Sequence, residues 1–265
     1  MRRREFLILT LLTGVSLVVM PALRADPPAT PAPLRVAIYD HSDGSAKAPP
    51  ALMKLLTEPA GFKCRRVSPA DVRGDGLTGC DVLIVPGGSG SQQAVKLEPA
   101  GREKIVAFVR GGGGYVGICA GSYLATTDYP WSLGILNAKV LDRAHWARGT
   151  GRVTLTFTSA GKAALGHPAD EAEVYYGQGP LLAPGGKAEP AAYEPLATYA
   201  SEIAKNGAPT GVMVGTAAIA RGTFGKGRVI CFSPHPEVNG GPNHLIAAGV
   251  RWAGAAATKR SSESQ

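Results

Sequence analysis

The sequence predicts an α/β fold, a three-layer sandwich with a mostly parallel central sheet and added antiparallel strands in the C-terminal half. Three observations predict it. Short apolar, β-branched runs alternate with helix-like stretches between Leu34 and Ile118, the pattern that puts parallel strands in one sheet with helices over both faces. Several runs end in glycine-rich turns, as at Gly87-Gly88 and around Cys119, where ligands of such sheets bind. From Leu133 to Arg228 strand and turn signals dominate while helix signals thin out.

The N-terminus reads Arg2-Arg3-Arg4-Glu5-Phe6-Leu7, then an apolar run to Met20, then a small residue at Ala25. That is a twin-arginine-like export signal over residues 1–25, and it predicts a protein of the periplasm or cell envelope. The run is interrupted by Thr10, Thr13, Gly14 and Ser16 and falls short of the roughly 20 residues a bilayer span needs. No integral span is expected in the mature chain. Residues 26–33 read as a Pro/Ala-rich spacer, 34–256 as the folded domain and 257–265 as a disordered polar tail.

Within the domain, strands are expected at Leu34–Tyr39, Phe62–Val67, Asp81–Val85 and Tyr115–Ile118, with helices near Ala51–Thr57 and Arg102–Val109. Gly151–Thr158 and Gly222–Arg228 read as antiparallel pieces, the second a hairpin feeding the strand before His235.

The formal charge is +8, and losing residues 1–25 removes four arginines and one glutamate, leaving +5. The remaining basic residues are scattered and not interleaved with aromatics, which argues against a nucleic-acid groove. His41, His145, His167 and His244 show no metal-ligand spacing, so no metal site is expected. Neither a phosphate loop nor a dinucleotide fingerprint is present, and no cofactor is expected.

Three segments carry chemistry. Gly111-Gly-Gly-Gly-Tyr-Val-Gly-Ile-Cys119-Ala-Gly121 reads as a strand turning sharply into a helix with a cysteine at the corner. Small residues two before and two after Cys119 allow that turn, and the helix start favours a thiolate. Cys-Phe-Ser-Pro-His235-Pro-Glu237 ends another strand with a base and a carboxylate able to orient it. Asp81 to Gly90 is a strand ending in a glycine-rich loop, so backbone N–H groups of Gly87, Gly88 and Ala120 can hold an oxyanion. Asp40, His41, Tyr175, Tyr176 and Gln178 are candidate substrate contacts. Cys231 reads as core, and a disulfide between Cys64 and Cys80 is left open.

In this order the segments resemble the class I glutamine amidotransferase-like superfamily, whose elbow is Gly-x-Cys-x-Gly and whose distal pair is His-x-Glu. Gly117, Cys119 and Gly121 match the elbow; His235 and Glu237 match the pair. Gly-Gly-Tyr-Val-Gly-Ile-Cys-Ala-Gly-Ser-Tyr and Tyr175-Tyr176-Gly177-Gln178-Gly179-Pro180 look most like the N-terminal domain of eukaryotic biotin–protein ligases and its free-standing bacterial forms. The resemblance covers about Leu34 to Ala253 and implies a flavodoxin-like sandwich with a Cys119–His235–Glu237 triad. The expected function is an exported cysteine-nucleophile hydrolase or acyl-transfer enzyme acting on a small amide-like substrate. The alternative is a non-catalytic module of this fold that binds a small molecule or partner.

Overall fold

A computed structural model describes residues 32–263 except residue 239, with the side chains of residues 257–263 left undescribed. The segment expected to be an export signal and most of the expected spacer lie outside the described residues.

Five strands form the parallel half of one sheet, in the order β2 (Phe62–Val67), β1 (Leu34–Tyr39), β3 (Val82–Val85), β4 (Gly114–Ile118), β11 (Gly227–Phe232). Alternate side chains of these strands enter two different cores. Val36, Ile38, Ile84, Val116, Ile118, Ile230 and Phe232 face one side, where Leu52 of α1 (Ala48–Leu55) and Leu245, Ile246 and Val250 of α6 (His244–Glu263) cover them. Ala37, Tyr39, Leu83, Val85, Tyr115 and Val229 face the other, against Val72 of α2 (Pro69–Arg73), Ala94, Leu97 and Ile105 of α3 (Gly90–Arg110) and Leu124 of α4 (Ala120–Ala125). Burial on both faces explains why the inner strands β3 and β4 are continuously apolar, whereas the edge strand β2 alternates buried Phe62 and Val67 with exposed Lys63 and Arg66. Each large side chain so buried is worth about 1.5–3 kcal/mol.

The hairpin from β10 (Ala217–Phe224) to β11 begins the antiparallel half, which continues through β9 (Glu194–Tyr199) and β6 (Gly151–Phe157) to β7 (Glu171–Tyr176). β5 (Ala138–Leu141) and β8 (Leu181–Pro184) pair with each other, and β8 also with β10. An isolated bridge between Tyr175 and His235 then joins the end of β7 to the segment after β11. The path β11-β10-β9-β6-β7 thus returns to its own start. Tyr176, Tyr199, Val153, Leu155, Leu196 and Ile219 are buried in the same core as Phe232.

Helices differ from the sequence expectation at several places: α1 begins at Ala48, ahead of Ala51, and α2 was not anticipated. α3 starts at Gly90, twelve residues before Arg102, capped by the Ser89 hydroxyl and broken at Glu98, which precedes Pro99 and has φ 59°. α5 (Ser159–Leu165) was not anticipated; it follows an N-cap at Thr158 whose hydroxyl accepts from the Gly161 N–H at 2.9 Å. α6 runs to Glu263 and so takes in residues assigned to the tail; Ala255, Ala256, Ala257, Lys259 and Arg260 are strong helix formers that carry it on.

α4 meets β3 with no room for a side chain. A Cβ at Gly121 would lie 2.0 Å from the Val85 carbonyl oxygen, and one at Gly117 2.7 Å from the Gly121 carbonyl carbon. Gly121→Ala is therefore expected to cost at least about 3 kcal/mol, read as a loss of urea-unfolding free energy or of soluble protein; a variant as stable as the parent would refute the contact.

Candidate active site

Parallel pairing delivers the three motifs to one place. β4 lies between β3 and β11, with Gly117 in register with Val85 on one side and Cys231 on the other. The residues following these strands, Gly87-Gly88, Cys119 and His235, therefore emerge side by side at the C-terminal edge. β1 adjoins β3 and brings Asp40 and His41 to the same edge.

Cys119 sits between β4 and α4 with φ 49° and ψ −99°, a conformation rare for a side-chain-bearing residue and costing of order 1–3 kcal/mol. Its N–H donates to the Phe232 carbonyl at 2.8 Å. The residue is 5% exposed and its S–H donates to the Gly177 carbonyl at 3.5 Å.

His235 is wedged between two glycines: a Cβ at either Gly87 or Gly177 would come within 2.7 Å of the ring. Its main-chain N–H donates to the Tyr175 carbonyl at 2.8 Å, and the Tyr175 ring lies 6.0 Å from the imidazole. Nδ1 meets Glu237 Oε1 at 2.8 Å. The second carboxylate oxygen, Oε2, is buried without a hydrogen-bond partner among the described residues. Burial opposes charge on His235, but its hydrogen bonds to the Cys119 sulfur and the Glu237 carboxylate outweigh this and push it up to about 10.

Cys119 opens into a cavity of about 370 Å³ lined by Gly88, Ser89, Gly90, Ser91, Ala120, Tyr123, Tyr129, Trp131, Trp146, Gly177 and Gln178. Of the expected oxyanion residues, Gly88 and Ala120 line it, whereas Gly87 forms a wall against the imidazole. Of the expected substrate contacts, Gln178 alone lines it. Gln178 has φ 69°, and its carbonyl accepts from the Tyr123 hydroxyl at 3.2 Å.

The other four take structural positions. Tyr176 is buried edge-on to Tyr199, its hydroxyl donating to the Gly179 carbonyl at 2.9 Å. Tyr175 supports His235. Asp40 is buried, accepts from Ser42 and pairs with Arg66; these partners hold it below the usual carboxylate range although burial opposes its ionisation. His41 lies against Gly88, and burial keeps it below the ordinary histidine value despite the neighbouring Asp40.

The aromatic wall was not anticipated. Its signal was present: the chain has three tryptophans, and Trp131 and Trp146 both reach this cavity. All four cysteines are free, so Cys64 and Cys80 are unlinked. Cys231 is fully buried, which pushes its thiol up to about 12, as suits a core residue.

This arrangement of strands and helices is the class I glutamine amidotransferase-like fold. Within that fold, the family model described as the N-terminal domain of biotin-protein ligase matches residues 51–146, which include the cysteine elbow. No curated protein matches the chain in sequence. Among solved structures it is similar to a glutamine amidotransferase, 19% identical with a TM-score of 0.53 over 81% of this chain and 99% of that one. A ThuA-like protein from Parabacteroides merdae ATCC 43184 is 12% identical with a TM-score of 0.56, over 84% and 90% respectively. A β-galactosidase from Bacillus circulans sp. alkalophilus is 13% identical with a TM-score of 0.51, covering 85% of this chain and 31% of that one. At these identities the likeness concerns the fold.

A histidine raised to about 10 in the folded state titrates near 6.5 when unfolded. Its contribution to stability is complete below about pH 6.5 and is lost as pH rises through about 10. Urea unfolding between those values should show the parent losing more stability than His235→Ala, and equal losses would remove the imidazolium from this role.

Proposed function

We propose that the chain is a cysteine-nucleophile hydrolase or acyl-transfer enzyme acting on an amide-like carbonyl. The observation that carries this reading is one imidazole that meets the Glu237 carboxylate at 2.8 Å and also interacts with the sulfur of a cysteine held at φ 49°. A core cysteine requires neither the strained turn nor a buried base with its own carboxylate.

In the reaction, His235 takes the Cys119 thiol proton as the sulfur attacks the carbonyl carbon and the C=O pair moves to oxygen. Backbone N–H groups of Gly88 and Ala120 stabilise that oxyanion, each worth roughly 3 kcal/mol. Collapse breaks the C–N bond as the His235 imidazolium gives its proton to the departing nitrogen. Water, or another acceptor nucleophile, then adds to the thioester, passing a proton back to the imidazole and releasing the acyl product. Glu237 orients the ring throughout and stabilises its cation.

We further propose that this chemistry takes place after export, in the periplasm or cell envelope, a reading supported by the sequence of residues 1–25. Among the described residues no helix is long and apolar enough to cross a membrane.

Cys119 of the full chain should react with iodoacetamide faster than Cys64, Cys80 or Cys231, and His235→Ala should slow that reaction at least tenfold. Cys119→Ala should abolish turnover of any amide substrate found, by at least about 10³-fold. A Cys119 that labels slowly and ignores His235 would instead favour a binding module that keeps the fold.

A further inference from the structure

Among the described residues, no charged side chain lines the cavity in front of Cys119. Its walls are glycines, Ala120, two serines, Gln178 and aromatic rings. Two arginines beside its aromatic walls are already engaged. Arg143 lies over the Tyr129 ring at 4.2 Å and pairs with Asp128 at 3.6 Å. Arg148 is 1% exposed and bonds to the Asp142 carboxylate. A free α-amino acid brings a carboxylate and an ammonium into the site, and burying either unpaired costs several kcal/mol.

The aromatic groups are arranged to receive a ring. Tyr129 stacks on Trp131 with centroids 4.5 Å apart and planes at 14°, and with the Arg143 guanidinium also within 4.2 Å of its centroid, its two faces are both covered. That clamp holds the shelf in place before any ligand arrives, so little side-chain freedom is lost on binding. Trp146 lines the same cavity and is 57% exposed, a large apolar surface left facing water. The cavity, about 370 Å³, lies at the small end of the usual range for small-molecule sites. One ring with a short acyl arm fits it. Ser89, Ser91 and Gln178 supply neutral hydrogen-bonding groups for an amide.

Resting on the reading of Cys119 as nucleophile, we propose that the substrate is an uncharged amide carrying a ring that packs on Trp131 and Trp146, and that free glutamine is excluded. The bond broken is the C–N bond of that neutral amide, by the steps given above, with water as co-reactant for hydrolysis.

Three electrophiles test this on the full chain by mass spectrometry: iodoacetamide, its N-benzyl derivative, and the glutamine mimic 6-diazo-5-oxo-L-norleucine. The N-benzyl reagent should modify Cys119 at least tenfold faster than iodoacetamide, relative to their rates at half-buried Cys64, and the mimic should show no preference for Cys119. Trp146→Ala, an exposed position whose truncation leaves the core intact, should cut the benzyl advantage severalfold; Trp131→Ala should do so more strongly. A benzyl ratio near one, a ratio insensitive to both tryptophans, or rapid reaction with the mimic overturns the proposal while the nucleophile reading stands. If iodoacetamide labelling ignores His235→Ala, the nucleophile reading fails instead. Calorimetry with unreactive N-benzylacetamide then decides the ring preference alone, supported by binding that Trp146→Ala weakens at least tenfold and overturned by its absence.

Discussion

Cys119 holds φ 49° and ψ −99° because α4 is pressed against β3 at a distance only glycine permits, with the Val85 carbonyl oxygen where a Gly121 side chain would be. The turn is secured on its other flank by the Cys119 N–H to the Phe232 carbonyl, and from within by the Ser122 hydroxyl, which reaches the Gly117 and Phe232 carbonyls at 3.1 and 2.9 Å. The Tyr115 hydroxyl donates to the Gly121 carbonyl at 2.8 Å. A backbone cost of order 1–3 kcal/mol persists only where surroundings over-determine it, and here β3 and β11 do so. Those same strands run on into Gly88 and into His235. The packing that strains the cysteine and the register that assembles its neighbours are one constraint.

That is also why the parallel half was legible in the sequence. Leu34–Tyr39 and Phe62–Val67 have the bounds expected for them: the first is buried from Val36 onward and leaves an apolar record, while the second, at the sheet edge, buries Phe62 and Val67 at its two ends, and a turn closes each. The elbow and the His-Pro-Glu segment were legible because close approach demands glycine and proton transfer demands particular side chains. The antiparallel half was harder. Nothing local in Tyr175-Tyr176 says that β7, at the far end of the strand order, comes back to bridge His235. Adjacent tyrosines on a strand point to opposite faces, so Tyr175 leans on the imidazole while Tyr176 enters the core, and one motif divides into two structural roles.

The aromatic shelf was illegible for a different reason. Tyr129, Trp131 and Trp146 lie in turns after α4 and around a single turn of 3₁₀ helix at Arg143–His145, and loops carry no periodicity from which a facing direction follows. A tryptophan in such a segment reads equally well as a plug over the core. Its exposure beside Cys119 is what separates the two, and exposure belongs to the folded chain.

Two electrostatic regimes therefore meet at one sulfur. Behind it, a carboxylate with one unpartnered oxygen and an imidazole raised to about 10 share a buried slot walled by glycines; charge is strong there because water is absent. In front, the cavity is neutral and aromatic. The first regime comes from strand ends that cannot move without disturbing the sheet, and the second from loops that can change while the sheet stays as it is. A fold divided in this way can keep its proton chemistry while altering what it admits. Its likeness to an amidotransferase, a ThuA-like protein and part of a β-galactosidase at 12–19% identity thus says little about substrate. Under the function proposed, the choice of substrate rests with the residues in front of the sulfur, and among the described residues those offer rings and neutral hydrogen-bonding groups and no charge.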